Sequence, residues 1–323
     1  MTQDILVVVE HLRGQVAEIT YTLLAQAQVV ARSTGGKVEA LLLGQSAEIL
    51  SHDLAADMVW YVEHPALADF TGEAYARATG ALIAERKPRL VLLGDTSVGS
   101  DVAGLLSVRL GMPLLSCCRT IAAGPEGLKF TSQICGGKLM AEGDVPAETT
   151  LVTMLPGGFR AEQGKAQQPP AVSRHAAPDL EKLPVSLKQY VEPAGDDVDI
   201  TREPLLVAIG RGIQREDNLE VVQELADALG GVVCATRPVV DQNWLPASRL
   251  VGKSGKSVKP KVYLALGISG APEHAEAITG SEMVIAINTD PAAPIFDLAR
   301  YGATVDLLDL APVLSEKVRQ AKG

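Results

Sequence analysis

The segment VGKSGKSVKPKVYLALGISGAPEH, Val251 to His274, constrains the fold of this chain more than any other stretch. Its apolar run Val262-Tyr263-Leu264-Ala265-Leu266 has no polar alternation, so both faces need cover, as in the interior strand of a parallel sheet. The run stops at Gly267-Ile268-Ser269-Gly270-Ala271, where small residues permit a tight turn. Pro272 then marks a helix start, a position at which the missing N–H would have had no partner anyway. Strand, glycine turn and helix N-terminus together present outward amides without bulky side chains, which suits an anion such as a diphosphate. The same residues also suit a plain tight corner, and taken alone they leave both readings open. Upstream, Val251-Gly252-Lys253-Ser254-Gly255-Lys256 forms a second Gly-rich loop.

The rest of the chain alternates strand-like and helical patterns. Apolar runs at 5–9, 38–43, 58–62 and 90–94 are separated by helical patterns at 17–34, 47–55, 72–85 and 102–110. Gly35-Gly36 closes the first helix in the way C-terminal glycines do, and Asp95-Thr96-Ser97 resembles a capping stretch. This alternation predicts a mostly parallel sheet with helices on both faces. Thr131–Met140 and Thr150–Phe159 are expected as the strands that close a first domain, 1–160. Gly94–Gly99 lacks the GK[ST] ending of a phosphate loop. Residues 161–203 are rich in Gln, Glu, Lys, Asp and Pro; they read as an interdomain linker with a candidate edge strand at 185–191. The α/β pattern resumes over 204–323: strands at 205–209, 232–235, 262–266, 283–287 and 304–308, and helices at 219–229, 295–299 and 313–322. The fold class expected is α/β, with two domains that are each a mostly parallel sheet flanked by helices.

Composition narrows the function. A net charge of −10 argues against a dedicated nucleic-acid surface. With only 4% aromatic residues, base-stacking platforms are also disfavoured. No apolar run reaches the ~18 residues of a membrane span. The first strand begins almost at once, without the pattern of a signal or transit peptide, which favours a prokaryotic cytoplasm. Cys117, Cys118, Cys135 and Cys234 form no CxxC pair, so they are expected as small buried residues in a reducing compartment rather than metal ligands.

Three segments carry a resemblance. GISGAPEH resembles the GISGA-x-QH signature of electron transfer flavoprotein alpha subunits. VGKSGK resembles their VGQTGK loop, and AINTDPAAPIF (Ala286 to Phe296) resembles their AINKDPEAPIF. The resemblance is dense from Pro204 onward and thinner over the first 160 residues. It implies a Rossmann-like FAD-binding domain at 204–323, and a nucleotide-binding-like first domain that does not hold the flavin.

Site residues follow from the same resemblance. Gly210-Arg211-Gly212 is similar to the family's GGRG, which makes Arg211 a contact of the FAD dinucleotide, while Ile209 replaces a glycine. Ala235-Thr236-Arg237 is similar to Ala-Ser-Arg, in which the arginine lies against the isoalloxazine. Arg237 inherits that role, and Thr236 keeps the serine's hydroxyl. Val251, Gly252, Lys253 and Ser254 form the loop beside flavin N5. Ser254 retains the donor hydroxyl, and Lys253 adds a charge where the family has glutamine. Ser269, Gly270, Ala271, Pro272, Glu273 and His274 are expected to wrap the diphosphate, with His274 reaching the flavin C2 carbonyl. Glu273 is a carboxylate in place of glutamine, a change that Lys253 would compensate. Asn288 is expected on the ribose or adenine side, Asp306 and Leu307 along the adenine, and Asp290 as a turn residue.

The implied activity is that of an FAD-binding alpha subunit paired with a beta subunit. Such a pair takes electrons from a flavoprotein dehydrogenase, such as an acyl-CoA dehydrogenase, and delivers them to a quinone-linked oxidoreductase. An electron-bifurcating form that uses NADH is the nearest alternative, and a non-redox nucleotide-binding regulator is the alternative of another class. An NAD-dependent dehydrogenase would require an acidic residue about 20 positions beyond a GxGxxG, and this spacing is missing.

Overall fold

The computed structural model describes residues 2–124, 127–135, 139–156, 158–190 and 198–322. The chain forms two compact units, Met1–Tyr190 and Val191–Gly323.

In the first unit, β1 (Ile5–Val8), β2 (Val38–Gly44), β3 (Met58–Glu63) and β4 (Leu90–Gly94) are the expected parallel strands. They alternate with α1 (Glu18–Thr34), α2 (Gly72–Arg86) and α3 (Ser97–Leu110). Alternate residues of β1 serve opposite faces: Ile5 and Val7 pack with Leu23, Leu24 and Ala27 of α1, whereas Leu6 and Val8 pack with Leu82 and Ile83 of α2 and Leu106 of α3. The helix boundaries have local causes. Gly35 adopts a left-handed φ of 73° and its amide donates to Ala31, ending α1. The Thr96 hydroxyl accepts from the Gly99 amide and starts α3 five residues before the apolar pattern at 102 becomes regular.

Two expectations for this unit need correction. The closing strands are β5 (Leu114–Gly124), β6 (Gly127–Ile134) and β7 (Leu139–Asp144), a three-stranded antiparallel extension. Thr131–Met140 therefore belongs to two strands, with residues 136–138 outside those described. β8 (Thr150–Met154) does not close the domain at the end of the sheet; it lies parallel between β4 and β5, deep in the sheet. Its five residues are all buried, which explains an apolar run that pairing at an open edge would not need. The second correction concerns the stretch expected as linker. Residues 161–190 pack on the first unit: β9 (Ala171–Arg174) pairs parallel with β3, Leu180 is buried in the core, and Arg174 reaches Glu48 at 2.6 Å and Glu63 at 3.0 Å. Residues 185–190 form no strand, and Val191 lies outside the described residues. The edge position thus goes to the stretch that can pair Val172 and Arg174 with β3. Among the described residues the sheet order is β9-β3-β2-β1-β4-β8-β5-β6-β7.

The second unit is a parallel sheet of β10 (Leu205–Ile209), β11 (Val232–Ala235), β12 (Val262–Leu266), β13 (Val284–Ile287) and β14 (Tyr301–Ala303), in the order β11-β10-β12-β13-β14. α4 (Leu219–Leu229) and α5 (Leu307–Lys322) cover one face, where Val207, Ile209, Leu264 and Leu266 meet Val222, Leu225 and Ala311. The last strand and helix differ from expectation. The segment 304–308 is not a strand: the Asp306 carboxylate accepts from the Leu308 amide at 2.9 Å and turns it into the start of α5. The sheet edge is taken instead by 301–303. Segment 295–299 is a 3₁₀ turn, Pro294–Asp297.

The cysteines divide. Cys118 and Cys234 are buried as expected, but Cys117 is half-buried and Cys135 exposed, both at positive φ in the β5–β6 region.

Candidate functional site

Chain order runs outward from β10 in both directions, to β11 on one side and to β12 on the other, so the second unit has a topological switch point between β10 and β12. Open parallel sheets bind ligands outside the carboxyl ends of their strands at such a point. The two turns that leave β10 and β12 meet there. The amide of Gly210 donates to Leu266 and that of Gly212 to Gly267. A Cβ on Gly210 would come within 2.4 Å of the Gly267 carbonyl oxygen, so only glycine lets the turns approach this closely.

Above these turns opens a cavity of about 690 Å³. It is lined by every strand end of the unit: Gly210–Gly212 after β10, Thr236 and Arg237 after β11, Gly267–Ala271 after β12, Asn288 and Thr289 after β13, and Val305–Leu307 after β14. The loop Leu250–Ser254 closes one side, with Glu273 and His274. All the sequence-predicted site residues line it except Pro272: Arg211, Thr236, Arg237, Val251, Gly252, Lys253, Ser254, Ser269, Gly270, Ala271, Glu273, His274, Asn288, Asp306 and Leu307. Pro272 opens the following helix. Gln214, Pro238, Leu250, Ile268, Ile287, Thr289 and Val305 also line the cavity without having been singled out. Their places at strand ends are the signal that could have found Ile268, Ile287 and Thr289; nothing in the sequence marked Gln214, whose φ of 67° carries the chain out of its turn.

Several side chains do something other than expected. The helix begun by Pro272 is a single turn, Pro272–Ala275, so its dipole contributes little, and an anion would be held by amides and cations. Asn288 is committed within the protein: its Nδ2 donates to the Ile268 carbonyl at 2.8 Å and its Oδ1 accepts from the Asp290 amide at 3.0 Å. It latches the Gly267–Ala271 turn to the end of β13. Asp290 is a turn residue, its Oδ1 accepting from the Ala292 amide. Asp306 caps α5. Ile209 points into the core, fully buried, and does not line the cavity. Arg237 is 59% exposed and lies 3.6 Å from Asp241 in a loose ion pair. The base of the Gly252 loop is anchored by Lys256, which donates to Asp199 at 3.0 Å. Lys256 and the Thr201 hydroxyl hold the Asp199 carboxyl down at about 2.

His274 is 6% exposed, with both ring nitrogens engaged: Nδ1 lies 3.1 Å from the Val251 carbonyl oxygen and Nε2 3.0 Å from the Tyr263 hydroxyl. Burial pushes its pKa down, against a smaller opposing pull from the Val251 carbonyl.

The lining as a whole offers three cations, Arg211, Arg237 and Lys253, against two carboxylates, Glu273 and Asp306. Hydroxyls come from Thr236, Ser254, Ser269 and Thr289, and apolar walls from Ile268, Ile287, Val305 and Leu307. Cations and glycine amides suit a diphosphate, and apolar walls suit flat ring systems. These residues fit a dinucleotide cofactor.

Comparison with known proteins decides which. The electron transfer flavoprotein domain matches residues 5–180, and the electron transfer flavoprotein FAD-binding domain matches residues 199–279. The chain belongs to the electron transfer flavoprotein alpha-subunit family. FAD is accordingly the cofactor of the second unit. Curated relatives align along nearly their whole length. The electron transfer flavoprotein subunit alpha of Thermoanaerobacterium thermosaccharolyticum is 35% identical, covering 99% of both chains. The acryloyl-CoA reductase electron transfer subunit beta of Anaerotignum propionicum is 33% identical over 99% of this chain and 97% of its own. The protein FixB of Clostridium saccharobutylicum is 34% identical over 97% and 94%. Among the described residues no helix is long and apolar enough to cross a membrane.

Proposed function

We propose that this chain is the FAD-holding half of a cytoplasmic heterodimer with an electron transfer flavoprotein beta subunit. The pair takes electrons from flavoprotein dehydrogenases, such as acyl-CoA dehydrogenases, and delivers them to a quinone-linked oxidoreductase. One observation carries this reading: the three segments that resemble the family's signatures, within residues 251–296, converge with the distant turns at 210–212 and 236–237 on one cavity at the switch point of the sheet. No Ser/His/Asp array lines that cavity, and none is required. Bound FAD supplies the redox chemistry, and the protein binds, orients and tunes it.

The residues divide that work. Arg211 and the Ser269–Ala271 amides would hold the diphosphate. Arg237, Lys253 and Ser254 would serve the ring, where two fixed positive charges favour the negative charge that a flavin gains on reduction. Val305 and Leu307 offer apolar surface for the adenine.

A second reading, in which the heterodimer draws its electrons from NADH and serves an enoyl-CoA reduction, is favoured by the likeness to a subunit named for acryloyl-CoA reductase. Purification of the chain with its beta partner, followed by visible absorption spectroscopy, separates the readings. Bound flavin that ignores NADH and is reduced by an acyl-CoA dehydrogenase with its substrate supports the simple carrier. Reduction by NADH, with two flavins per heterodimer, supports the second. A preparation that takes up no flavin after incubation with FAD refutes both.

A further inference from the structure

The turn after β10 carries a strained residue that none of the roles assigned so far explains. It runs through Arg211–Ile213 and ends at Gln214, whose φ of 67° and ψ of −45° belong to the rare, strained form of the γ-turn. The bond that defines such a turn is present: the Arg215 amide donates to the Ile213 carbonyl at 2.8 Å. Glycine enters this region freely, whereas a residue with a Cβ does so at a cost. The chain places glycine at 210 and 212 in the same stretch, yet it places glutamine at the strained position.

Packing holds the turn in this shape. Ile213 is fully buried, its carbonyl accepts a second bond from Asn218 Nδ2 at 2.8 Å, and the Gly212 amide is tied to Gly267. The Gln214 side chain is exposed on the cavity wall, and among the described residues its amide has no hydrogen-bond partner. Asn288 and Asp306, in the same lining, direct their polar atoms to the protein. Strain that the surroundings enforce, at a residue whose polar group is left facing a ligand cavity, points to a ligand contact.

Its position indicates which part of the ligand it meets. The Val251 amide donates to the Ala235 carbonyl, so the Gly252–Ser254 loop stands at the β11 edge of the sheet. Leu307 arrives after β14, at the opposite edge, and reaches the turn that carries Gln214. A Cβ on Gly267 would lie 2.7 Å from the Gly212 Cα and 2.8 Å from Leu307 Cδ2, and Ile213 shares a buried cluster with Leu307. Gln214 thus belongs to the end of the cavity that offers apolar surface to the adenine. A carboxamide presents a donor and an acceptor side by side, which matches the amino group and neighbouring ring nitrogen of adenine. A phosphate is better served by the charge of Arg211. We infer that Gln214 is a specificity-determining residue of the cofactor site, aimed by the strained turn at the adenosine half of FAD, where its amide recognises the base. The inference rests on the FAD site proposed above.

Two substitutions in the full chain, freed of flavin and titrated with FAD and with ADP, test it. Gln214→Ala keeps the strained turn and removes the amide, so FAD and ADP should both bind about five- to ten-fold more weakly. Gln214→Gly removes the amide and the strain together. It should weaken both ligands by the same factor, while the flavin-free protein melts about 2–4 °C above wild type. A residue that merely shaped the site would lower affinity and melting temperature together. Unchanged affinity in both variants overturns the inference and leaves the cofactor site standing. Weaker FAD with unchanged ADP, or a wild type that takes FAD but no ADP, removes the adenosine contact and overturns it as well. A flavin-free Gln214→Gly that melts below wild type shows the side chain holding the turn, which also overturns it. Wild-type protein that binds neither ligand sinks the cofactor site itself, and the inference with it.

Discussion

Gly270→Ala should disable the site without touching a single functional side chain. Gly270 has φ of +87°, a region that an L-residue enters at a cost of about 1–2 kcal/mol. Its missing Cβ matters more. An alanine methyl there would sit 2.3 Å from the backbone nitrogen of Ile295 and 2.6 Å from its Cα. Backbone cannot rotate aside as a flexible side chain can, so the Ser269–Ala271 turn and the Pro294–Asp297 segment must separate. The Ile295 amide, which donates to the Ser269 carbonyl at 3.0 Å, loses that partner in the process. Strain at φ together with forced displacement in a packed core comes to about 3 kcal/mol. For a unit of this size that lowers Tm by about 6–12 °C. FAD retention should fall with it, because the displaced amides are those proposed to hold the diphosphate. Differential scanning calorimetry and flavin release on gel filtration report the two effects. A variant that melts within 1–2 °C of wild type and keeps its flavin would refute the close packing from which the magnitude was worked.

Gly252→Ala makes the contrast: φ is +151°, but the nearest contact of a Cβ is the Glu273 carbonyl oxygen at 3.6 Å, so strain acts alone and the Tm loss should be less than half that of Gly270→Ala. Asp306→Ala removes the acceptor for the Leu308 amide and should destabilise the second unit by about 1 kcal/mol in urea unfolding, with Asp306→Asn losing less. His274 has a folded-state pKa below that of the unfolded chain, so the stability from its neutral form is complete above about pH 6.5 and is lost as pH falls below that value; melts between pH 7.5 and 5.5 should show this slope in wild type and not in His274→Asn. Asp199 is also depressed, to about 2, so its contribution is complete above about pH 4 and is lost as pH falls towards 2; Asp199→Asn should cost its full amount near neutrality and a shrinking amount in acid unfolding between about pH 4 and 2. Lys253→Gln removes one positive charge from the cavity wall and should lower the two-electron flavin potential by about 20–40 mV in dye-coupled titration, and an unchanged potential would show that the charge is not felt at the ring.

Local pattern was enough for much of this molecule. Continuous apolar runs such as Leu90–Gly94 and Val262–Leu266 are legible because a strand buried on both faces tolerates no polar alternation. Glycines after Thr34 and Leu229 mark helix ends because only the left-handed region closes them cheaply. The cavity lining was legible too, through the resemblance of short strand-end segments to the family's motifs. Other features depended on partners remote in sequence. The place of β8 between β4 and β5 follows from pairing with Leu90–Gly94 and Leu114–Gly124, which no window around residue 150 contains. Residues 171–174 become an edge strand because β3 leaves that edge open and Glu48 and Glu63 wait there for Arg174. The polar composition that suggested a linker describes one exposed side of a strand equally well.

The same division holds inside the site. Sequence determined which residue types line the cavity, because the motifs that carry the family resemblance are short local stretches at the strand ends. Tertiary structure decided what their polar atoms do. Asn288 spends its amide on Ile268, Asp306 its carboxylate on Leu308, and His274 both nitrogens on Val251 and Tyr263. A buried polar group must find a partner, and whether that partner is the ligand or the protein depends on atoms brought close only by the fold.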